Sequence, residues 1–391
     1  RQRDWAMKVF VVQPTVPHYR TEFFSGVGRR LGGQLILMAS PHIPGGPSSI
    51  PAHGLAEIIY APDHTLSSWR GDKLYWQSGL NIQGASAGDV LLVPGNPRFL
   101  SVYPLLIKAR ARGMGIIVQG HGWSSSSRPW LARIRHLLWR FADVALLYTD
   151  EERDQFIANG FAPDRVFATN NTMGTQAIEQ ARAHWTPDRL SPGTGRVSPS
   201  GFQILFCGRL TPKAELHVLI DALAALKQRG QRVQLVIIGG GDQDAALKAK
   251  MAALGLTEQI TWLGPIHDEM QLAPWFLQSD LFVYPGAIGL SLLHAFNYGL
   301  PVVTHDQLKQ HNPEISALEP GRSGALFAKG DAAALADTLE GLLNNESLRA
   351  DMSARAKHTI KTRFHTTIMV DRFMAAAERA HQLAMLRKNV A

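Results

Sequence analysis

Between Phe206 and Thr304 the chain repeats one pattern three times: an apolar run, a glycine-rich turn, then a helical periodicity. The turns are Cys207-Gly208-Arg209-Leu210-Thr211-Pro212-Lys213, Ile237-Ile238-Gly239-Gly240-Gly241-Asp242 and Tyr284-Pro285-Gly286-Ala287-Ile288-Gly289-Leu290-Ser291-Leu292-Leu293-His294. An α/β sheet built this way aims backbone N–H groups from its strand ends and helix N-termini at an anion. Arg209 can grip two phosphate oxygens in a fork, and Lys213 acts as a point charge. Each motif alone has an ordinary reading, a tight turn for the glycines and a solvated surface charge for the cations. Their order over about a hundred residues points to a pocket for a nucleotide diphosphate.

The first half alternates strand-like runs with helical patterns, as a parallel sheet covered on both faces requires. The runs are Lys8–Gln13, Gln34–Ala39, Val90–Val93, Gly115–Gln119, Val144–Tyr148 and Arg165–Thr169. A second alternating series starts at Gln203, after a Pro-, Gly- and Ser-rich stretch from Thr186 to Gly201. The expected division is a first domain over 1–190, a linker over 191–201, a second domain over 202–363 and a closing helix over 364–391.

In order and content the motifs resemble the donor-binding domain of retaining GT-B glycosyltransferases of family 4. The resemblance implies two Rossmann-like doubly wound domains facing across a cleft, with the C-terminal helix crossing back to the first domain. It implies transfer of a sugar from a nucleotide-sugar donor to a glycan or lipid-linked acceptor, in polysaccharide or glycolipid assembly. Arg209 and Lys213 match the family's pair that neutralises the departing diphosphate. Gly208, Gly240 and the Gly289-Leu290-Ser291 helix start complete the phosphate cradle. Basic residues fill a metal's role here, so neither metal nor cofactor is expected.

The family's Glu-x7-Glu motif is absent, since its two positions fall on Gly286 and His294. A neutral imidazole can accept from one ribose hydroxyl, whereas a carboxylate takes two. His294 is thus either a ribose ligand or a histidine satisfied in the core, and the ligand reading predicts donor affinity that falls with pH. Glu314, in Pro313-Glu314, is either a donor contact or an acidic residue opening a helix. On the acceptor side, His121 follows a strand between two glycines and is a candidate near the reacting sugar. His18 and Arg20 after the first strand, and Asn96 and Arg98 after the Leu91–Pro94 run, are candidate acceptor contacts.

Composition bounds the remaining classes. With 45% hydrophobic and 18% charged residues, the 391-residue chain is globular and long enough for two cores. Cys207 is the lone cysteine, so neither a disulfide framework nor a thiolate metal site is possible within the chain. No secretory signal is read at the start, and a cytoplasmic enzyme, peripheral on the inner face of the cell membrane, is expected. The uncharged stretch Leu281 to Thr304 is broken by Pro285, Gly286, Gly289, Gly299 and Pro301 and reads as buried core. A net charge of +8 draws anions. Nucleic acid is disfavoured, because no basic run interleaves with aromatics. Membrane contact is suggested by Trp130, Ile134, Leu137, Leu138 and Phe141 on one helical stripe, with Arg133, His136 and Arg140 opposite. Two other functions fit the same architecture: a nucleotide-sugar 2-epimerase, which needs cleft carboxylates, and a catalytically silent nucleotide-sugar-binding subunit.

Overall fold

The computed structural model describes residues 7–41, 49–50, 59–61, 66–69, 74–121, 137–190, 193–198 and 201–390. The chain packs as two units, residues 1–174 with 366–391, and residues 175–365. The change of unit at Gly174 therefore precedes the expected boundary at 190, and the described part of the expected linker lies inside the second unit. The reason is local packing. Trp185 Nε1 donates to the Met270 carbonyl at 2.8 Å, and the Gln203 side chain bonds Gly195 and Val197.

The first unit contains β1 (Val9–Gln13), α1 (Thr21–Arg30), β2 (Leu35–Ala39), β3 (Ile59–Ala61), β4 (Leu66–Trp69) and β5 (Leu74–Gln77). It continues with β6 (Val90–Pro94), α2 (Val102–Ala111), β7 (Gly115–Gly120), β8 (Val144–Leu147), α3 (Asp150–Ala158) and β9 (Val166–Ala168). Seven strands form a parallel sheet in the order β3-β2-β1-β6-β7-β8-β9, while β4 and β5 pair antiparallel. Runs such as Val-Phe-Val-Val in β1 are buried on both faces, which is why they read as continuous apolar segments rather than alternating ones.

The second unit contains α4 (Gln176–His184), β10 (Phe202–Cys207), α5 (Leu216–Gln228), β11 (Val233–Ile238), α6 (Asp244–Ala253), β12 (Ile260–Gly264) and α7 (Glu269–Gln278). Then follow β13 (Leu281–Val283), α8 (Leu290–Tyr298), β14 (Val302–His305), β15 (Gly324–Phe327), α9 (Ala332–Leu343) and α10 (Glu346–Arg363). Its six parallel strands run in the order β12-β11-β10-β13-β14-β15. In α5, Leu216, Leu219, Ile220, Leu223 and Leu226 fall at helical spacing and are buried in the core that also takes Ile204, Phe206, Leu235 and Ile237. The apolar stretch Leu281 to Thr304 resolves into β13, α8 and β14. Among the described residues no helix is long and apolar enough to cross a membrane.

The last helix, α11 (Thr366–Val390), belongs to the first unit. It buries Met369, Val370, Phe373, Met374 and Leu383 in the core shared with β1 and β2. Burial of each such side chain contributes about 1.5–3 kcal/mol. Half-exposed ion pairs such as Arg30–Asp371 contribute about 1 kcal/mol or less, so apolar contact decides where this helix lies. Gly115 lets the helix approach, since a Cβ there would sit 2.5 Å from the Ala380 carbonyl oxygen.

Of the basic apolar stripe, Trp130, Arg133, Ile134 and His136 lie outside the described residues. Within the described part, Leu138 is core and Leu137 is exposed, so these two do not share one face as expected.

Candidate functional site

In the second unit the strand order reverses at β10. The chain builds outward through β11 and β12, then returns to add β13 on the other side. Such a switch point opens a crevice at the carboxyl ends of the two central strands. The first and third glycine motifs lie at those ends and touch. The Ala287 N–H donates to the Lys213 carbonyl at 3.2 Å, and a Cβ on Gly286 would lie 1.9 Å from that same oxygen. The second motif is stitched to the first by Gly208 N–H to the Ile238 carbonyl (3.0 Å) and Leu210 N–H to the Gly240 carbonyl (3.1 Å).

The glycine expected in the cradle at 240 is not where the backbone closes in. A Cβ on Gly240 would meet nothing nearer than 3.6 Å, whereas at Gly239 (φ 147°) and Gly241 it would fall 1.9 and 2.3 Å from backbone oxygens of Gly208 and Leu210. Gly208 itself faces the Tyr284 ring, whose nearest carbon would be 3.0 Å from an added Cβ.

Arg209 and Lys213 stand exposed on this edge, and neither side chain is paired with any described residue. Beside them α8 starts at Gly289, with no side chain capping it, and Leu290 and Ser291 open its first turn. Two uncommitted cations and an uncapped helix N-terminus favour an anion through charge, forked bonding and the helix dipole.

His294 is placed differently from the ligand reading. It is buried one turn into α8, stacked on Phe276 at 4.3 Å, and its Nε2 lies 2.9 Å from Glu269 Oε1. Tyr298 O–H donates to the same oxygen at 2.5 Å. One ring nitrogen, Nε2, is thereby committed to a carboxylate on α7. Burial pushes the Glu269 carboxyl up, but the bonds from His294 and Tyr298 outweigh it and hold it below its usual range. Burial raises the Tyr298 hydroxyl, and the Glu269 charge raises it further. Burial, then the Glu269 charge, pushes the Cys207 thiol up to about 12, which leaves it an inert residue at the end of β10. Glu314 is buried in the first turn of a 3₁₀ helix over Pro313–Ala317.

In the first unit, His18 and Arg20 follow β1, Asn96 and Arg98 follow β6, and His121 follows β7. These strands are neighbours, so their ends lie along one edge of the sheet. His18 and Arg98 are exposed. Arg20 lies over the Tyr19 and Phe23 rings and reaches Met369 Sδ at 3.8 Å, and the Asn96 side chain accepts from the Arg98 N–H. These two side chains thus have structural work within the unit.

His121 keeps half of its side chain exposed, with Nδ1 3.1 Å from Glu152 Oε1. Glu152 was not legible as its partner in the sequence, being 31 residues away in the acidic first turn of α3. That helix is capped by the Thr149 hydroxyl, while the other Glu152 oxygen accepts from the Tyr148 N–H. A carboxylate that bonds one imidazole nitrogen fixes the ring's orientation and tautomer.

Residues 196–359 match the family described as Glycosyl transferases group 1. Over 183 residues the chain is 32% identical to phosphatidyl-myo-inositol mannosyltransferase of Mycobacterium leprae, covering 46% of each chain, so it spans about half the length of this relative. It is 25% identical over 286 residues to D-inositol 3-phosphate glycosyltransferase 2 of Catenulispora acidiphila, covering 61% of this chain and 65% of that one. Among solved structures, a glycosyltransferase from Rickettsia africae superposes with a TM-score of 0.70 at 12% identity, over 96% of this chain and 99% of that one. HepE of Anabaena, solved in complex with UDP, superposes with a TM-score of 0.68 at 17% identity, over 95% and 100%. The family match thus lies within the second unit, and over nearly its whole length the chain has the GT-B fold of these solved structures.

Proposed function

We propose that the protein transfers a sugar, with retention, from a nucleotide-sugar donor to a glycan or lipid-linked acceptor. The observation that carries this is the pair of exposed cations Arg209 and Lys213, unpaired among the described residues, beside the uncapped N-terminus of α8. The UDP bound by HepE and the transferase names of the relatives support a nucleotide-sugar donor. The chemistry rests on the leaving group. As the glycosidic bond breaks, charge grows on the diphosphate, and donors fixed in advance stabilise it more than the ground state. The acceptor hydroxyl attacks on the leaving-group face and passes its proton to the departing phosphate. Arg209 and Lys213 supply the charge compensation, so no metal is required in this scheme.

Replacing Arg209 and Lys213 by Ala is expected to cost roughly 1.5–3 kcal/mol for each charged hydrogen bond lost, about 10- to 100-fold in nucleoside-diphosphate affinity. Calorimetry with UDP and GDP checks it, and unchanged affinity in the double variant overturns the pocket. Turnover is expected to survive EDTA. Loss on chelation, with recovery on adding Mg²⁺, would remove the metal-free scheme.

A second reading, nucleotide-sugar binding without turnover, draws on one observation: position 286 has no room for a side chain and His294 is committed to Glu269. Donor hydrolysis screened across nucleotide sugars separates the two, since a silent subunit binds donor and releases no sugar.

A further inference from the structure

The turn that carries Gly286 and Gly289 is held from its far side by a histidine pair that no glycine motif foreshadows. His311 Nε2 lies 2.9 Å from the His305 carbonyl oxygen, which can only accept, so this nitrogen carries the proton. His311 Nδ1 is then a bare acceptor and receives the N–H of the fully buried Ile288 at 3.1 Å. The Asn312 N–H returns to the Ile288 carbonyl at 3.0 Å. Gly289 lies so near that a Cβ would be 2.7 Å from Asn312 Nδ2. On the opposite side the turn rests on the Lys213 carbonyl.

The His305 ring stacks on His311 with centroids 3.9 Å apart. Its Nδ1 accepts from the Gln307 N–H, so its Nε2 also carries a proton, and that atom is buried without a partner among the described residues. The charged neighbours offer little to a second positive charge. Lys329 pairs with Glu215 at 3.4 Å, and Asp306 accepts from the Lys329 N–H and the Gln307 side chain. Glu215 itself is fixed in a left-handed conformation at φ 49°.

We propose that His311 is a positioning residue for the anion-binding turn: its neutral ring holds Ile288 and hence residues 286–289 in place, and protonation of the ring releases them. The consequence for phosphate binding rests on the function proposed above. A protonated Nδ1 would face the Ile288 N–H donor to donor, so the bond cannot survive. Burial and, next, the neighbouring charges push His305 down to about 4, and burial pushes His311 down against the pull of the His305 carbonyl. The pair is therefore neutral at ordinary pH and charges only as pH falls below the usual imidazole range.

The test compares the wild type with His311→Asn and His311→Ala between pH 8 and pH 5. Asn offers an oxygen where Nδ1 stood and cannot be protonated there. By hydrogen exchange on the nucleotide-free protein, the segment 284–292 is expected to be equally protected in wild type and His311→Asn at pH 8. At pH 5 it should exchange about tenfold faster in the wild type. Equal protection at both pH values overturns the clamp, whatever the pocket binds. By calorimetry with UDP, His311→Asn should bind within about threefold of the wild type at pH 8, and His311→Ala about tenfold more weakly. The advantage of His311→Asn over the wild type should grow as pH falls, the diphosphate's own titration being common to both. If UDP binds through Arg209 and Lys213 but wild type and His311→Asn keep one pH profile, the clamp is wrong and the pocket stands. If binding ignores Arg209 and Lys213, the pocket is wrong and the exchange measurement alone judges the clamp.

Discussion

Gly286→Ala is expected to unfold the anion-binding turn, and Gly286→Glu, which restores a carboxylate typical of related enzymes, is expected to rescue nothing. The added Cβ would sit 1.9 Å from the Lys213 carbonyl oxygen and 2.7 and 2.9 Å from the Ala214 carbonyl carbon and Cα. These are backbone atoms, so no rotamer change relieves the contact and one of the two loops must move. Overpacking of this kind costs on the order of 1–3 kcal/mol, and more where backbone meets backbone. In a unit of this size that lowers Tm by about 2–4 °C per kcal/mol. Because the loop displaced carries Lys213, nucleoside-diphosphate affinity should fall at least tenfold. Gly240→Ala is the control, with no atom nearer than 3.6 Å, and should stay within about 1 kcal/mol of the wild type. A Gly286→Glu protein with unchanged Tm and higher turnover would show that the turn is not closed on Lys213.

The second large effect is at His294. Removing its ring in His294→Ala opens a cavity against Phe276 and takes one donor from Glu269, together costing on the order of 3 kcal/mol. The Michaelis constant for the donor should be nearly unchanged, since the ring faces the core. His294→Glu should be worse than Ala at neutral pH, because it sets a second carboxylate beside Glu269 with little water to screen the pair. The pH slopes then oppose each other. In the wild type, Glu269 is held below its usual range, so its contribution is present above the unfolded value and is lost as pH falls. Burial lowers His305 and His311, and their contribution too is lost on acidification. In His294→Glu the crowded pair binds a proton more tightly folded than unfolded, so acidification relieves the penalty. Between pH 7 and pH 5 the wild type's melting temperature should fall as His305 and His311 charge, and the deficit of His294→Glu relative to it should narrow. A higher donor Michaelis constant in His294→Ala, with unchanged Tm, would return the ring to the ribose.

Much of the architecture could be read from the residues alone. Strands buried on both faces advertise themselves as short apolar runs between turns, and six such runs in the first half lie within a residue or two of β1, β2, β6, β7, β8 and β9. The exceptions are β3, β4 and β5, of which β4, Leu-Ser-Ser-Trp, is half polar and so lacks that signature. That Arg209, Lys213 and the Gly289 helix start lie at strand ends was legible because each follows closely on an apolar run in the sequence. Position along the chain could not show what each side chain touches. His294 reads as a ligand until α7 brings Glu269 to within 2.9 Å of it. That Gly239 and Gly241, and not Gly240, are the glycines whose backbone is closely approached appears only in the fold. His121 gains Glu152, and Ile288 gains His311, only when the sheet has folded. Local propensity and motif order thus determined the layers and the edge on which the glycine motifs lie, because both depend on neighbours in sequence. Which polar groups are already satisfied was decided by packing between residues 23 to 31 positions apart, and only the tertiary structure holds that information.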